Sequence, residues 1–218
     1  MDIKWFGQAC FFIKTKTRKN EEVKIVIDPF SKEIGLKPPS LEADILLITH
    51  HHYDHNNTEA VSGDYFLIDQ PGEYEVKNIF IKGIQSFHDS QQGKERGFNT
   101  IYVIEAYDEE LRVCHLGDLG QKELTPEQLE ALGEIDILLI PVGGVYTIDA
   151  KTAHKIVTQI EPKIVIPMHY ALPKLKIQLD GVKPFLKLFA QEKIEPQARL
   201  TIKREKLPQE IQIVLLKP

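Results

Sequence analysis

Short apolar runs, most of them strand-length, dominate the pattern of this chain. Ile3 and Trp5, then Cys10 and Phe12, then Val23, Ile25 and Ile27 alternate with polar positions, which predicts three strands over residues 2–28. Residues 43–48 are almost continuously apolar and read as a strand buried on both faces. Extended runs follow at 65–68, 74–76 and 79–87, with Gln70-Pro71-Gly72 as a turn and a short helix at most over 57–61. Residues 99–106 and 111–115 pair as a hairpin through 107–110. The pattern then changes. Thr125-Pro126-Glu127-Gln128 is a helix start, with Thr125 as N-cap, Pro126 in the first turn and Gln128 closing a capping box. Asp149 caps a second helix whose Ala150, Ala153, Val157 and Ile160 share one face. Strands are expected at 135–142 and 163–167. Asp180 is expected to open a last helix with Val182, Phe185 and Phe189 inward, before closing strands near Leu200 and Ile213.

Strands come first, then strands alternating with helices, with no repeat, low-complexity tract or linker. A layered α/β arrangement in a single domain, 1–218, is the expectation. A chain of 218 residues can bury roughly 70% of its unfolded surface. Its 42% hydrophobic and 27% charged content is that of an ordinary globular protein. The net charge of −5 supplies no general attraction for nucleic acid or for an anionic membrane. Lys14, Lys16, Arg18 and Lys19 form a local basic run, read as a solvated hairpin tip. Cys10 and Cys114 lie in apolar segments without CxxC spacing and are expected as buried free thiols. No apolar window approaches the roughly 18 residues of a membrane span, and no secretory leader is expected. The cytoplasm is the expected compartment.

The chemistry concentrates in Thr49-His50-His51-His52-Tyr53-Asp54-His55, directly after the apolar run. If the backbone stays extended, alternation sends His50 and His52 to one side and His51 to the other. Asp54 and His55 then leave from the following turn. Imidazole and carboxylate are the ligand types that suit zinc and its first-row neighbours. The competing reading is a polar loop that happens to be rich in histidine. Four histidines in six residues are costly to bury without partners, and the order favours a metal.

The sequence His50-x-His52-x-Asp54-His55 after an apolar strand resembles the signature of the metallo-β-lactamase-fold hydrolases. The likeness runs from Ile3-Lys4-Trp5-Phe6-Gly7 to Pro167-Met168-His169-Tyr170, and is greatest to the branch that includes the ascorbate-6-phosphate lactonases. The resemblance implies a four-layer αββα sandwich. It implies two metal positions, the first held by His50, His52 and His88, the second by Asp54, His55 and His169, with Asp118 bridging both. His88, Asp118 and His169 each follow a predicted strand. Alone, each would more often be a satisfied histidine or a turn aspartate; together they read as ligands. The glycines around Asp118 suit a tight turn that aims the carboxylate inward. By the same resemblance Asp28, at the end of the third strand, braces the metal loop through hydrogen bonds. His51 is expected to face away, His115 to be a hydrogen-bonded sheet residue or to act near Asp118, and His154 to lie on the surface.

Two divalent cations sharing a water make hydroxide available near neutrality and polarise a carbonyl or phosphoryl oxygen. Hydrolysis of an ester, a lactone or a phosphodiester is then the expected reaction class, with Asp54 and Asp118 orienting the hydroxide. No Gly-x-Ser-x-Gly elbow offers a rival nucleophile. Tyr146, Tyr170 and His115 are candidates for the leaving-group proton. Zn2+ leads as the metal, and the same donors accept Mn2+ or Fe2+. Gln8 departs from the histidine that relatives often carry there; the resemblance implies that this position is not a metal ligand and bears at most on substrate or on the surroundings of the ligands. Histidine at position 52 argues against the flavodiiron oxygen reductases, which carry glutamate.

Three functional readings follow: a small-molecule lactonase or esterase, a phosphodiesterase or nuclease on the same site, and a non-catalytic metal-binding or interaction protein. The first leads. A small-molecule substrate is the expected partner, nucleic acid is not favoured, no membrane is expected, and a homo-oligomer is open. Loops at 91–98 and 143–148 are the expected specificity elements, with Arg96 set either to meet an anionic group or to form a surface ion pair.

Overall fold

The computed structural model describes residues 1–17 and 19–218. Arg18 of the basic run lies outside the described residues; its neighbour Lys14 pairs with Glu22 at 3.1 Å across the hairpin. Among the described residues, two large sheets carry the fold. One has the spatial order Leu200–Thr201, Asp2–Trp5, Phe11–Lys16, Glu22–Ile27, Ile45–Leu47, Phe66–Ile68. The other runs Gln212–Ile213, Ile164–Met168, Ile137–Pro141, Leu111–His115, Phe98–Ala106, Ile79–Phe87, Gly72–Val76. The alternating apolar positions of both sheets meet in one core, where Trp5, Phe11 and Tyr102 are its largest buried rings. With its helices this is the layered αββα architecture expected. Cys10 and Cys114 are both buried and free.

The helices start where their caps require. Thr125 and Gln128 form the reciprocal capping box over Pro126–Leu132, and Asp149 caps Ala150–Ile160 by accepting from Thr152 N–H. The last helix differs from expectation. It spans Lys183–Leu188 with Val182 at the N-cap and no side-chain cap, because Pro184 sets the first turn. Asp180 instead ties two loops together through its backbone, donating to Gly143 O and accepting from Ala171 N. His154 is half-buried, its ring 4.8 Å from that of Phe189. No helix among the described residues is long and apolar enough to cross a membrane.

Strand direction places the chemistry. Glu22–Ile27 and Ile45–Leu47 are parallel, so Asp28 and the histidine motif leave the sheet at the same end. In the other sheet Leu111–His115 and Ile164–Met168 run parallel, each paired in parallel with Ile137–Pro141. Ile79–Phe87 shares their direction, since each of two antiparallel pairings reverses it. His88, Asp118 and His169 therefore all emerge from C-terminal strand ends at one edge of the sandwich. The sheets are stitched together there: Thr100 N–H donates to Thr49 O at 2.9 Å, and the Tyr102 hydroxyl donates to Ile48 O at 3.0 Å.

Candidate metal centre

The motif strand ends at Leu47, earlier than the apolar run suggests, and the chain turns through the histidines. His55 N–H and Asn56 N–H both donate to His52 O, a compact turn that brings Asp54 and His55 beneath His50. His50 and His52 still point to one place, with rings 4.7 Å apart. His51 faces outward, its Nε2 3.6 Å from Asp69.

Among the described residues the predicted side chains fall into two groups able to hold a metal: His50, His52 and His88, and Asp54, His55, Asp118 and His169. The ligand atoms within each group lie within 4.8 Å of one another. One oxygen links the groups. Asp118 Oδ2 is 3.2 Å from Nε2 of both His55 and His169, 3.4 Å from His88 Nε2 and 4.0 Å from His50 Nε2.

Hydrogen bonding fixes which nitrogen faces inward. Asp28 is fully buried and, as a carboxylate, can only accept. It takes Thr49 N–H at 2.8 Å, the Thr49 hydroxyl at 2.7 Å and His55 Nδ1–H at 3.0 Å. Having spent its one proton on Asp28, the Thr49 hydroxyl accepts from His50 Nδ1, 3.0 Å away. Both imidazoles thus direct Nε2 to the site. His50 Nε2, His55 Nε2 and Asp118 Oδ1 are buried without a hydrogen-bond partner. Buried polar atoms are rarely left so, and imidazole with carboxylate is the donor chemistry of a divalent cation. The residues fit the metal.

The turn bearing Asp118 is held from behind. Asp118 N–H donates to Asn99 Oδ1 at 2.9 Å, and Asn99 Nδ2 donates to Leu116 O and Ser86 Oγ. His115 accepts from Gly117 N–H through Nδ1 and donates through Nε2 to Ala9 O. With both nitrogens engaged, it orients the turn and has no proton to offer a leaving group. Gly117 has φ +56°, and a Cβ there would lie 2.2 Å from Asn99 Oδ1. Gly120 seats against the His88 backbone, where a Cβ would lie 2.4 Å from its carbonyl.

Charge follows this packing. Burial, reinforced by His55, holds the His50 imidazole well below its ordinary pKa. His52 is lowered by burial and by His88. Burial alone would raise the Asp118 carboxyl, but His169 and His55 outweigh it and keep it well below the usual range. Asp54 is likewise lowered, His55 overcoming its burial. The reverse holds for His55, where burial opposes the charge but Asp118 and Asp54 raise the imidazole well above its ordinary value.

A cavity of about 570 Å³ opens over the cluster, lined by His52, Asp54, His88, Asp118 and His169 and walled by Tyr53, Arg96, Tyr146 and Lys176. Arg96 lies over the Tyr146 ring at 4.6 Å and faces the cavity. Tyr170 is not at the cavity: it is buried, packed on Trp5 with ring centroids 5.0 Å apart, and burial pushes its hydroxyl pKa up. Of the three expected proton donors, only Tyr146 lines the cavity. Lys176 arrives on an irregular loop with no periodic signal, and sequence reasoning missed it. Gln8 touches the residues of the second group, with Nε2 3.1 Å from both Asp54 Oδ2 and His169 Nε2.

This chain has clear counterparts. The beta-lactamase superfamily domain model matches residues 2–169. A UPF0173 protein of Pyrococcus abyssi is 33% identical over 192 residues, covering 78% of this chain and 83% of its own. A UPF0173 metal-dependent hydrolase of Thermoplasma acidophilum is 32% identical over 197 residues, covering 78% and 83%. A crystal structure of a metallo-beta-lactamase superfamily protein from Thermotoga maritima superposes with a TM-score of 0.79 at 38% identity, covering 99% of this chain and 97% of its own. The chain belongs to the metallo-β-lactamase superfamily, within its UPF0173 metal-dependent hydrolase family. It is an enzyme of that class, a metal-dependent hydrolase.

Proposed function

We propose that the protein is a binuclear hydrolase of small, anionic lactones or esters, of the sugar-phosphate lactone type. The observation that carries this is the position of Asp118 Oδ2, within 4.0 Å of four histidine Nε2 atoms drawn from both ligand groups. His50, His52 and His88 would hold one cation, and Asp54, His55 and His169 the other, with Asp118 shared. When bound, such a pair supplies a nucleophilic hydroxide and a Lewis acid for the scissile carbonyl. Asp54 and Asp118, held as carboxylates, orient the attacking oxygen. Tyr146, which lines the cavity wall, would pass a proton to the leaving group.

Two cations on the wall, Arg96 and Lys176, favour a substrate with a phosphate or carboxylate group. A cavity of about 570 Å³ suits a sugar-sized molecule. Zn2+ leads for the three-imidazole position, in line with the provisional description of the Thermotoga relative as Zn-dependent. We read residues 1–218 as one domain, since the main core draws side chains from Met1 through Leu216. A cytoplasmic location and a small-molecule partner belong to the same reading.

The test compares initial rates of Zn2+- and Mn2+-loaded protein on a sugar-phosphate lactone and on an aryl phosphodiester, with a His50→Ala, Asp118→Ala double variant as blank. Lactone hydrolysis that disappears in the variant is expected. A phosphodiester rate alone would move the assignment to phosphodiesterase chemistry. No rate above the blank on either would favour the non-catalytic reading.

A further inference from the structure

Gln8 has an amide side chain that reaches the second ligand group, and its surroundings are unusual. It is completely buried, and its backbone has a φ of +49°. Its carbonyl is fixed from two sides, accepting from Trp5 Nε1 at 2.8 Å and from His169 N–H at 3.1 Å. Its side-chain nitrogen is spent on Asp54 Oδ2 and His169 Nε2, while Oε1 is buried with no partner.

An amide NH2 can only donate. In this orientation it therefore occupies the lone pairs of Asp54 and His169 that a cation in the second group needs. A metal entering there displaces both hydrogen bonds. Turning the carboxamide about its last bond then breaks no other protein hydrogen bond, because the opposite end has none. The turn brings an oxygen where the nitrogen was.

We propose that Gln8 is a further ligand of the second metal position, its carboxamide oxygen binding the cation and its NH2 end holding the same ligands together in the metal-free protein. The inference rests on the two-position reading above. It makes the positions chemically unequal. The first offers three imidazoles and one shared carboxylate; the second offers oxygens from Asp54, Asp118 and Gln8 with two imidazoles. Harder, oxygen-preferring Mn2+ is favoured at the second position relative to the first.

The test is calorimetric titration of metal-free wild type, Gln8→Leu and Gln8→Glu with Zn2+ and separately with Mn2+, with Co2+ absorption as a spectroscopic reading of coordination. Wild type should take up two ions. Gln8→Leu should keep the first event and weaken the second about 10–100-fold, the loss being larger for Mn2+ than for Zn2+. Its second-site Co2+ spectrum should intensify as the coordination number falls. Gln8→Glu should retain or tighten the second event. An unchanged first event shows that the variant is folded. A second event in Gln8→Leu as tight as wild type, or tighter, overturns the proposal and makes Gln8 a competitor of the metal, leaving the binuclear reading intact. Wild type that binds one ion or none removes both.

Discussion

The Asp28 carboxylate accepts His55 Nδ1–H at 3.0 Å and, through the Thr49 hydroxyl, also sets the proton on His50. One residue outside either ligand group thus decides which nitrogen two of the ligands present. Asp28→Ala should lower the affinity for bound metal about 10–100-fold, the range found when partners behind metal ligands are removed. It also strands the Thr49 N–H and hydroxyl, each costing about 1–3 kcal/mol if left unpaired. Metal titration and thermal unfolding of the metal-free variant measure the two effects separately.

Gly120 should be irreplaceable for a steric reason. The Cβ of Gly120→Ala would meet His88 C and O and Asp89 N at 2.4 Å, all backbone atoms with no rotamer to yield. Overpacking of this kind costs about 1–3 kcal/mol, with about 2–4 °C of Tm for each kcal/mol in a chain of this size. Because His88 must move, metal content should fall with Tm. A variant with normal metal content would show that the His88 backbone can yield without cost.

Arg96 and Lys176 should act on binding rather than on the chemical step. Removing a charge-assisted hydrogen bond costs about 1.5–3 kcal/mol, so Arg96→Ala should raise KM about 10–100-fold for a phosphorylated lactone. It should leave kcat and the rate on an uncharged lactone nearly unchanged. Equal losses on both substrates would place Arg96 in the chemistry itself.

The loop that carries Arg96 should loosen in acid. Asp89 accepts backbone N–H groups from Gln91, Gly93, Glu95 and Arg96 at 2.7–3.0 Å. Burial opposes its ionisation, but these four bonds prevail and its pKa falls below the ordinary 3.8. A depressed carboxyl stabilises the fold above its unfolded pKa, and that contribution is lost as pH falls through the folded value. Amide protection at Gly93, Glu95 and Arg96, followed by hydrogen exchange, should therefore hold above about pH 4 and decline below it. Protection independent of pH across that range would contradict this account of the loop.

Much of the site was readable because its residues sit where strands stop. His88, Asp118 and His169 each follow a strand-length apolar segment, and the shared direction of those three strands delivers all three to one edge. The histidine motif was legible by composition, though its turned backbone was not; a compact turn groups His50 with His52 as well as an extended strand would. The misplacements have local causes. Tyr170, a candidate for the leaving-group proton, follows His169 in the chain, but the positive φ of His169 sends it back into the core against Trp5. Lys176 lies in an aperiodic loop that carries no signal. Gln8 was expected only to bear on substrate or ligand surroundings; which ligands it touches, Asp54 and His169, depends on tertiary contacts made from a turn at positive φ.

The count of metal ions per chain tests the central claim most directly. Protein dialysed against Zn2+ and measured by elemental mass spectrometry should hold two ions per chain, and Asp118→Asn should hold one or fewer, since its neutral amide weakens both groups at once. Two ions retained in Asp118→Asn, or a single ion in wild type, would contradict a shared carboxylate at the heart of a binuclear site.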